Sequence, residues 1–266
     1  MSATQPASQS VTRSVTYGEA GIPNVTPETF WNQDEEFRDL LLNLIKIHVV
    51  SEDYGADCFE PSILRAPTPE AKMRMAKTVM EEYGHHLRFR ALLGELGLDW
   101  REFSADKDHL TTFDTPIDNW ADQVVFLALV DRAAAHQFRQ FVRSPYAPFR
   151  KACQDTLNEE YGHVGFGMDG VKDMLETPEG RAAVEAAVPK WLKVGLASFG
   201  SDRSRTNDRY RYWGFKTETN AAMRAAYYKQ IRAFVSRDWG IELAEEPTVY
   251  MDAAPESPQT VSAAAG

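Results

Sequence analysis

The chain has 266 residues, with 29 Lys+Arg against 39 Asp+Glu, a net charge of −10 and 43% hydrophobic residues. Such an acidic balance argues against nucleic acid, which calls for a basic surface, and no apolar run reaches the roughly 18 residues of a membrane span. Cys58 and Cys153 stand far apart, which excludes a disulfide scaffold or a cysteine zinc site. With no signal-peptide pattern, they fit a reducing cytoplasm.

Residues 1–26, rich in Ser, Thr, Gln, Pro and Gly, read as a disordered arm, and residues 245–266 as a disordered Pro/Ala tail. Between them lies one domain, 27–244, helical almost throughout and without a convincing strand. Phe37, Leu40, Leu41, Leu44, Ile45 and Val49 recur at helical spacing and predict a helix over Asp34–Cys58, ending before Pro61. Thr68-Pro69-Glu70 is a capping hydroxyl, a proline and an acid at the positive dipole end. It starts a second helix that reaches about Leu96. A third runs from Asp118 or Asn119 to Arg143, and a fourth from after Pro148 to Glu176. Two more, over 179–199 and 217–239, flank a basic connection, with Pro189 kinking or splitting the first of them. The expectation is an all-α, ferritin-like four-helix bundle with additional C-terminal helices.

The strongest signal is a duplication. Glu-Glu-Tyr-Gly-His occurs at Glu81–His85 and again at Glu159–His163, 78 residues later. In each copy Glu and His three apart, Glu82/His85 and Glu160/His163, share one helix face. Each copy also follows an acid in an apolar helical stretch: Glu52, 30 residues before Glu82, and Asp131, 29 before Glu160. Asp131 ends the run Val124-Val125-Phe126-Leu127-Ala128-Leu129-Val130, where a carboxylate is costly unless its charge is compensated. Measured to the intervening turns, the helices rise and descend by about 20 Å. Acid and Glu-x-x-His therefore return to one level in each hairpin. Pairing the hairpins gathers Glu52, Glu82, His85, Asp131, Glu160 and His163, the di-iron or di-manganese carboxylate arrangement.

Neighbouring residues have competing readings. Glu81 and Glu159 compete with Glu82 and Glu160 as ligands, and the latter register keeps the repeats equivalent. Gly84 and Gly162 either leave room beside the metals or allow close helix packing. Tyr83 and Tyr161 read as packing residues, His48 and His86 as hydrogen-bond partners of ligands, and His109 and His136 as ordinary surface or core residues. Phe89, Phe126 and Phe166 either wall a substrate pocket or simply fill the core.

At these residues the sequence resembles the phenylacetate-degradation family of ferritin-like di-iron monooxygenases, specifically the catalytic A-type subunits of ring-1,2-phenylacetyl-CoA epoxidases. The likeness runs from about Leu40 to Leu243. It includes Arg65-Ala66-Pro67-Thr68, Leu129-Val130-Asp131, Ser144-Pro145-Tyr146 and Ala197-Ser198-Phe199-Gly200. The resemblance implies that Glu52, Glu82, His85, Asp131, Glu160 and His163 are ligands of two irons that activate dioxygen. One oxygen atom enters an aromatic ring of an acyl-CoA thioester as an epoxide, and the other leaves as water. Two electrons must come from outside. Two cysteines cannot supply a four-thiolate iron–sulfur cluster, and no Gly-x-Gly-x-x-Gly marks a flavin or nicotinamide site. NAD(P)H acting through a separate reductase is therefore expected, together with a ferritin-like structural subunit or a second copy of the chain. The alternatives are a di-iron oxygenase acting on a non-CoA small molecule and a non-catalytic scaffold subunit. Lys190, Lys193, Arg203, Arg205, Arg209, Arg211 and Lys216 form a basic stretch that either meets CoA phosphates or an electron donor, or simply balances the acidic helices.

Overall fold

The computed structural model describes residues 15–102 and 113–243. Four long helices, in two antiparallel hairpins, form the bundle: α2 (Glu35–Arg65) with α3 (Pro69–Glu95), and α4 (Trp120–Phe141) with α5 (Ala147–Met174). They follow a short hairpin, β1 (Thr16–Tyr17) with β2 (Ile22–Pro23), and the single turn α1 (Pro27–Phe30). Then come α6 (Pro178–Ala197), α7 (Arg205–Tyr212) and α8 (Asn220–Phe234), the last running into a π-turn over Val235–Trp239. The fold is an all-α, ferritin-like bundle.

Helix starts follow the local chemistry of the sequence. The side chains of Asp34, Thr68, Asn119 and Thr177 each accept a hydrogen bond from a backbone N–H in the first turn of α2, α3, α4 and α6. Three expectations need correction. The helix placed over Asp34–Cys58 continues through Pro61 to Arg65, because burial of Phe59 and Ser62 offsets the hydrogen bond that the proline cannot make. Pro189 does not split α6, which is continuous from Pro178 to Ala197. The basic connection contains a helix of its own, α7, capped by Ser204.

The stretch from 15 to 26, read from sequence as part of a loose arm, carries the hairpin, with Thr16 opposite Pro23 and Tyr17 opposite Ile22. Val25 ties it to the α4–α5 corner, donating to the Pro145 carbonyl (2.9 Å) and accepting from the Ala147 N–H (2.9 Å). The remaining arm, residues 1–14, and the tail from 244 onward lie outside the described residues, as does His109.

Helix α4 is the central element. Every residue from Ala121 to Asp131 is buried, between α5 on one side and α6 and α8 on the other. One apolar cluster, containing Val124 to Val130, Phe166 and Trp191, fills the end of the bundle where α4 begins. A second, containing Phe37, Phe89, Phe138, Phe149 and Phe215, fills the end where α4 stops. The polar residues of the repeat sit at the level between them.

Candidate metal centre

The six acids and imidazoles come from four helices: Glu52 from α2, Glu82 and His85 from α3, Asp131 from α4, and Glu160 and His163 from α5. All six are buried, none more than 7% exposed. They form two overlapping groups, Glu52–Glu82–His85–Glu160 and Glu82–Asp131–His163. Within each, one ligand atom per residue lies inside 4.8 Å of the others. Nδ1 of His85 faces inward, 3.3 Å from Glu52 Oε2 and 3.6 Å from both Glu82 Oε2 and Glu160 Oε1. Nδ1 of His163 faces the same space from the opposite side, 3.1 Å from Glu82 Oε1 and 3.9 Å from both Asp131 Oδ2 and Glu160 Oε2. Glu82 and Glu160 thus lie between the two imidazoles, with Glu52 and Asp131 at the flanks.

This donor set fits a pair of divalent metals. Asp131 Oδ2, Glu160 Oε2 and His163 Nδ1 are buried without a hydrogen-bond partner, and all three point into the same space. Buried polar atoms are normally satisfied, so three orphans at one point mark a place for a cation. Oxygen-rich ligands with imidazole suit iron or manganese.

The first glutamate of each repeat holds the other repeat's histidine. His85 Nε2 donates to Glu159 of α5 (2.9 Å), and His163 Nε2 approaches Glu81 of α3 (3.3 Å). Arg88 braces Glu159 with a two-pronged contact (3.0 and 3.2 Å), and Lys77 pairs with Glu81. Carboxylates on the outer ring nitrogen fix the tautomer that turns Nδ1 toward a metal. Glu81 and Glu159 are therefore outside the cluster, and this explains why the doubled Glu-Glu recurs.

Electrostatics follows the same geometry. Burial alone would strip the proton from His85, but hydrogen bonds with Glu159, Glu52 and Glu82 outweigh it and hold its pKa well above the ordinary range. Burial also opposes charge on His163, and Glu81 and Glu82 outweigh it in the same way. Burial pushes Asp131 well up, reinforced by the charges of Glu160 and Glu82, and Glu160 is pushed up to about 8 by burial and by Glu82. Glu82 goes the other way, since contacts with His163 and His85 overcome its burial. The hydrogen bond from His85 leads in drawing Glu159 down to about 2.

A pH prediction results. The folded, metal-free chain binds more protons than the unfolded chain at His85 and His163 above their ordinary value of 6.5, and at Glu160 between 4.5 and about 8. Its stability is therefore expected to fall as pH rises from 6.5 to 8. A divalent metal displaces those protons and reverses the trend. Calorimetric melting with and without metal checks the slope, and titrations in buffers of different ionisation enthalpy check that protons leave on loading.

Beside the carboxylates lies a cavity of about 210 Å³, lined by Glu52, Glu82, Asp131 and Glu160 and walled by Phe59, Phe113, Phe126, Val130 and Phe138. Gln137, Ser51 and Ser198 supply polar atoms along its lining. Of the three phenylalanines singled out from sequence, only Phe126 lines it. Phe89 packs on His48 (4.7 Å between ring centroids), and Phe166 packs on Trp120 under the Arg74 guanidinium. His48 sits at the cavity with Nδ1 3.4 Å from Glu52 Oε1. His86 is turned away and contacts the Val49 carbonyl (2.8 Å), while His136 contacts Gln230 (2.8 Å). Tyr83 donates to Asp57 and Glu60, and Tyr161 is exposed and accepts from Arg139. A Cβ at Gly84 or Gly162 would meet nothing within 4 Å, so close packing does not explain them. Neither lines the cavity, and nothing in the structure explains them. Sequence reasoning missed Phe59, Phe113, Phe138 and Gln137, because helical periodicity does not say which residues face the site and Phe113 lies in the connection before α4.

Four helices supplying four carboxylates and two imidazoles to one buried space, beside an aromatic-walled cavity, define a ferritin-like carboxylate–histidine bundle able to hold metal. The chain belongs to the phenylacetic acid catabolic protein family, whose model matches residues 25–254. It is similar to the A component of the 1,2-phenylacetyl-CoA epoxidase of Escherichia coli (strain K12), at 26% identity over 205 residues. The match covers 74% of this chain and 66% of the relative, just under two thirds of the relative's length. Among the described residues no helix is long and apolar enough to cross a membrane.

Proposed function

We propose that this chain is the oxygen-activating subunit of a di-iron monooxygenase that epoxidises the ring of an aryl-acyl-CoA such as phenylacetyl-CoA. The observation that carries the reading is the shared pair of carboxylates between two inward-facing imidazoles, opening onto a cavity walled by aromatic rings. The family and the similar epoxidase component support it.

In this reading Glu52 and His85 would hold one metal and Asp131 and His163 the other, with Glu82 and Glu160 within reach of both. Two irons would supply redox chemistry with dioxygen. The chain's own residues do the rest. Phe59, Phe113, Phe126 and Phe138 seat an aromatic ring and exclude water. Glu81 and Glu159 keep both imidazoles in register. Gln137 and Ser198 orient the polar arm of the substrate. The balance requires one O₂, two electrons and two protons per epoxide and water formed. With two cysteines and no glycine-rich nucleotide motif, this reading assigns the electrons to NAD(P)H through a separate reductase, with a ferritin-like companion subunit or a second copy completing the assembly.

The test is turnover of the iron-loaded chain with an NAD(P)H-driven reductase under ¹⁸O₂. Phenylacetyl-CoA is expected to gain one labelled oxygen atom. Labelling of a free aromatic compound in place of the thioester would refute the CoA part of the reading. Absence of oxygen uptake by the loaded chain, with every candidate substrate and companion supplied, would instead identify a scaffold.

A further inference from the structure

A second cavity, of about 590 Å³, lies between the β-hairpin turn and the α4–α5 corner, outside the metal centre. Its lining carries four cations, Arg143, Arg150, Arg211 and Lys216, against one carboxylate, Glu19. In a chain of net charge −10 such a concentration is unusual. Other cations of the basic stretch are neutralised internally: Lys190 by Asp122 and Asp118, and Arg209 by a two-pronged pair with Glu36.

Lys216 differs from those. It is only 8% exposed. Its Nζ lies 5.4 Å from the Phe141 ring centroid and 5.5 Å from that of Tyr210, and no carboxylate among the described residues pairs with it. An ammonium buried without an anion is costly, and two ring faces recover only part of that cost. Burial accordingly lowers its pKa to about 8.

The backbone holds Lys216 in place. Phe215 stacks on Phe37 (4.9 Å), and Gly214 has φ +84. A Cβ at Gly214 would stand 2.7 Å from the Gly18 nitrogen, so the hairpin turn packs directly on this loop.

The arginines are only partly compensated. Arg211 pairs with Asp208 through Nη1 at 3.6 Å, but its Nε is buried without a partner. Arg150 spends its donors on neutral acceptors, the Ser144 carbonyl and Asn24 Oδ1, and its guanidinium lies over Tyr17. Arg143 is exposed at the rim.

We propose that this cleft binds a phosphate-bearing anion, with the Lys216 ammonium at its base and the Arg143, Arg150 and Arg211 guanidinium groups around it. Forked guanidinium donors and an ammonium match a multiply charged tetrahedral oxyanion, whereas a single carboxylate leaves most of this charge unbalanced. The chemistry has two possible sources. On the function proposed above, a nucleotide thioester places its phosphates here; alternatively, a separate phosphoryl ligand uses the cleft alone.

The test titrates the full chain with inorganic phosphate and, separately, with CoA, comparing wild type with Lys216→Met and Arg143→Ala. Any exchange of phosphate with bound metal is common to all three proteins, so differences between them report the cleft. Saturable binding is expected, weakened at least about tenfold by Lys216→Met and more modestly by Arg143→Ala. Phosphate should raise the melting temperature of wild type but not of Lys216→Met, which, freed of an unpaired buried charge, should melt no lower than wild type without ligand. CoA binding much more tightly than phosphate assigns the cleft to a nucleotide ligand, and equal affinities assign it to a free phosphoryl ligand. Absence of saturable binding at millimolar concentrations, or affinities unchanged in both variants, overturns the proposal. If Lys216→Met fails to fold, the exposed Arg143→Ala variant still decides.

Discussion

Glu82→Ala is expected to abolish binding of both metals rather than one. Glu82 belongs to both overlapping donor groups, with Oε2 3.6 Å from His85 Nδ1 and Oε1 3.1 Å from His163 Nδ1. Losing a flanking ligand weakens one position, whereas losing Glu82 removes an oxygen from each. It also removes an anion that acts on both imidazolium charges, since contacts with Glu82 raise His85 and His163 alike, behind the larger effects of Glu159 and Glu81. The metal-free variant should therefore show lower imidazole pKa values in histidine NMR. Metal analysis after anaerobic loading is expected to fall from two equivalents to near none, and retention of one full equivalent would contradict a shared ligand.

Asp131→Ala is the complementary case. Asp131 sits after a fully buried apolar run on α4, and its Oδ2 is without a partner. Burial and the charges of Glu160 and Glu82 drive its pKa well up, so in the metal-free chain it contributes no favourable ion pair. Removing a buried, unsatisfied carboxylate relieves a desolvation cost of about 1–3 kcal/mol, offset in part by the small void that alanine leaves. The expected result is an unchanged helical spectrum, a melting temperature of the metal-free chain close to wild type, and turnover reduced to background. The pairing of a retained fold with lost activity matters here. A residue kept for stability would give the reverse, a large drop in melting temperature. Full activity in Asp131→Ala would end its assignment as a ligand.

What is legible in the sequence depends on the range of each interaction. The duplicated pentapeptide and the acids 30 and 29 residues upstream specify positions along helices, and helices have fixed rise. One-dimensional spacing was therefore enough to expect six residues at one level, and the structure brings those six together. The crossing of Glu81 to His163 and Glu159 to His85 was not legible. It joins the two hairpins, and within either repeat the neighbouring glutamates look interchangeable.

The same limit applies to the helix through Pro61 and to the hairpin at 16–23. Local rules end a helix at proline and leave a polar, glycine-containing segment loose. Packing of Phe59, and the close approach of Gly18 to Gly214, are tertiary facts. Cavity walls show it again, since helical periodicity marked Phe89, Phe126 and Phe166 as buried but not which of them faces the carboxylates. Lys216 stood in a basic run that read as one feature. In the fold Lys190 and Arg209 of that run make internal ion pairs, while Lys216 is a buried ammonium without an anion among the described residues.

The most direct measurement is metal stoichiometry of the native chain after anaerobic loading with ferrous iron and removal of excess metal. Two irons per chain is the result predicted by the placement of Glu82 and Glu160 between His85 and His163. Near-zero iron, or a single iron insensitive to Glu82→Ala, would contradict it and leave the cluster without its proposed role.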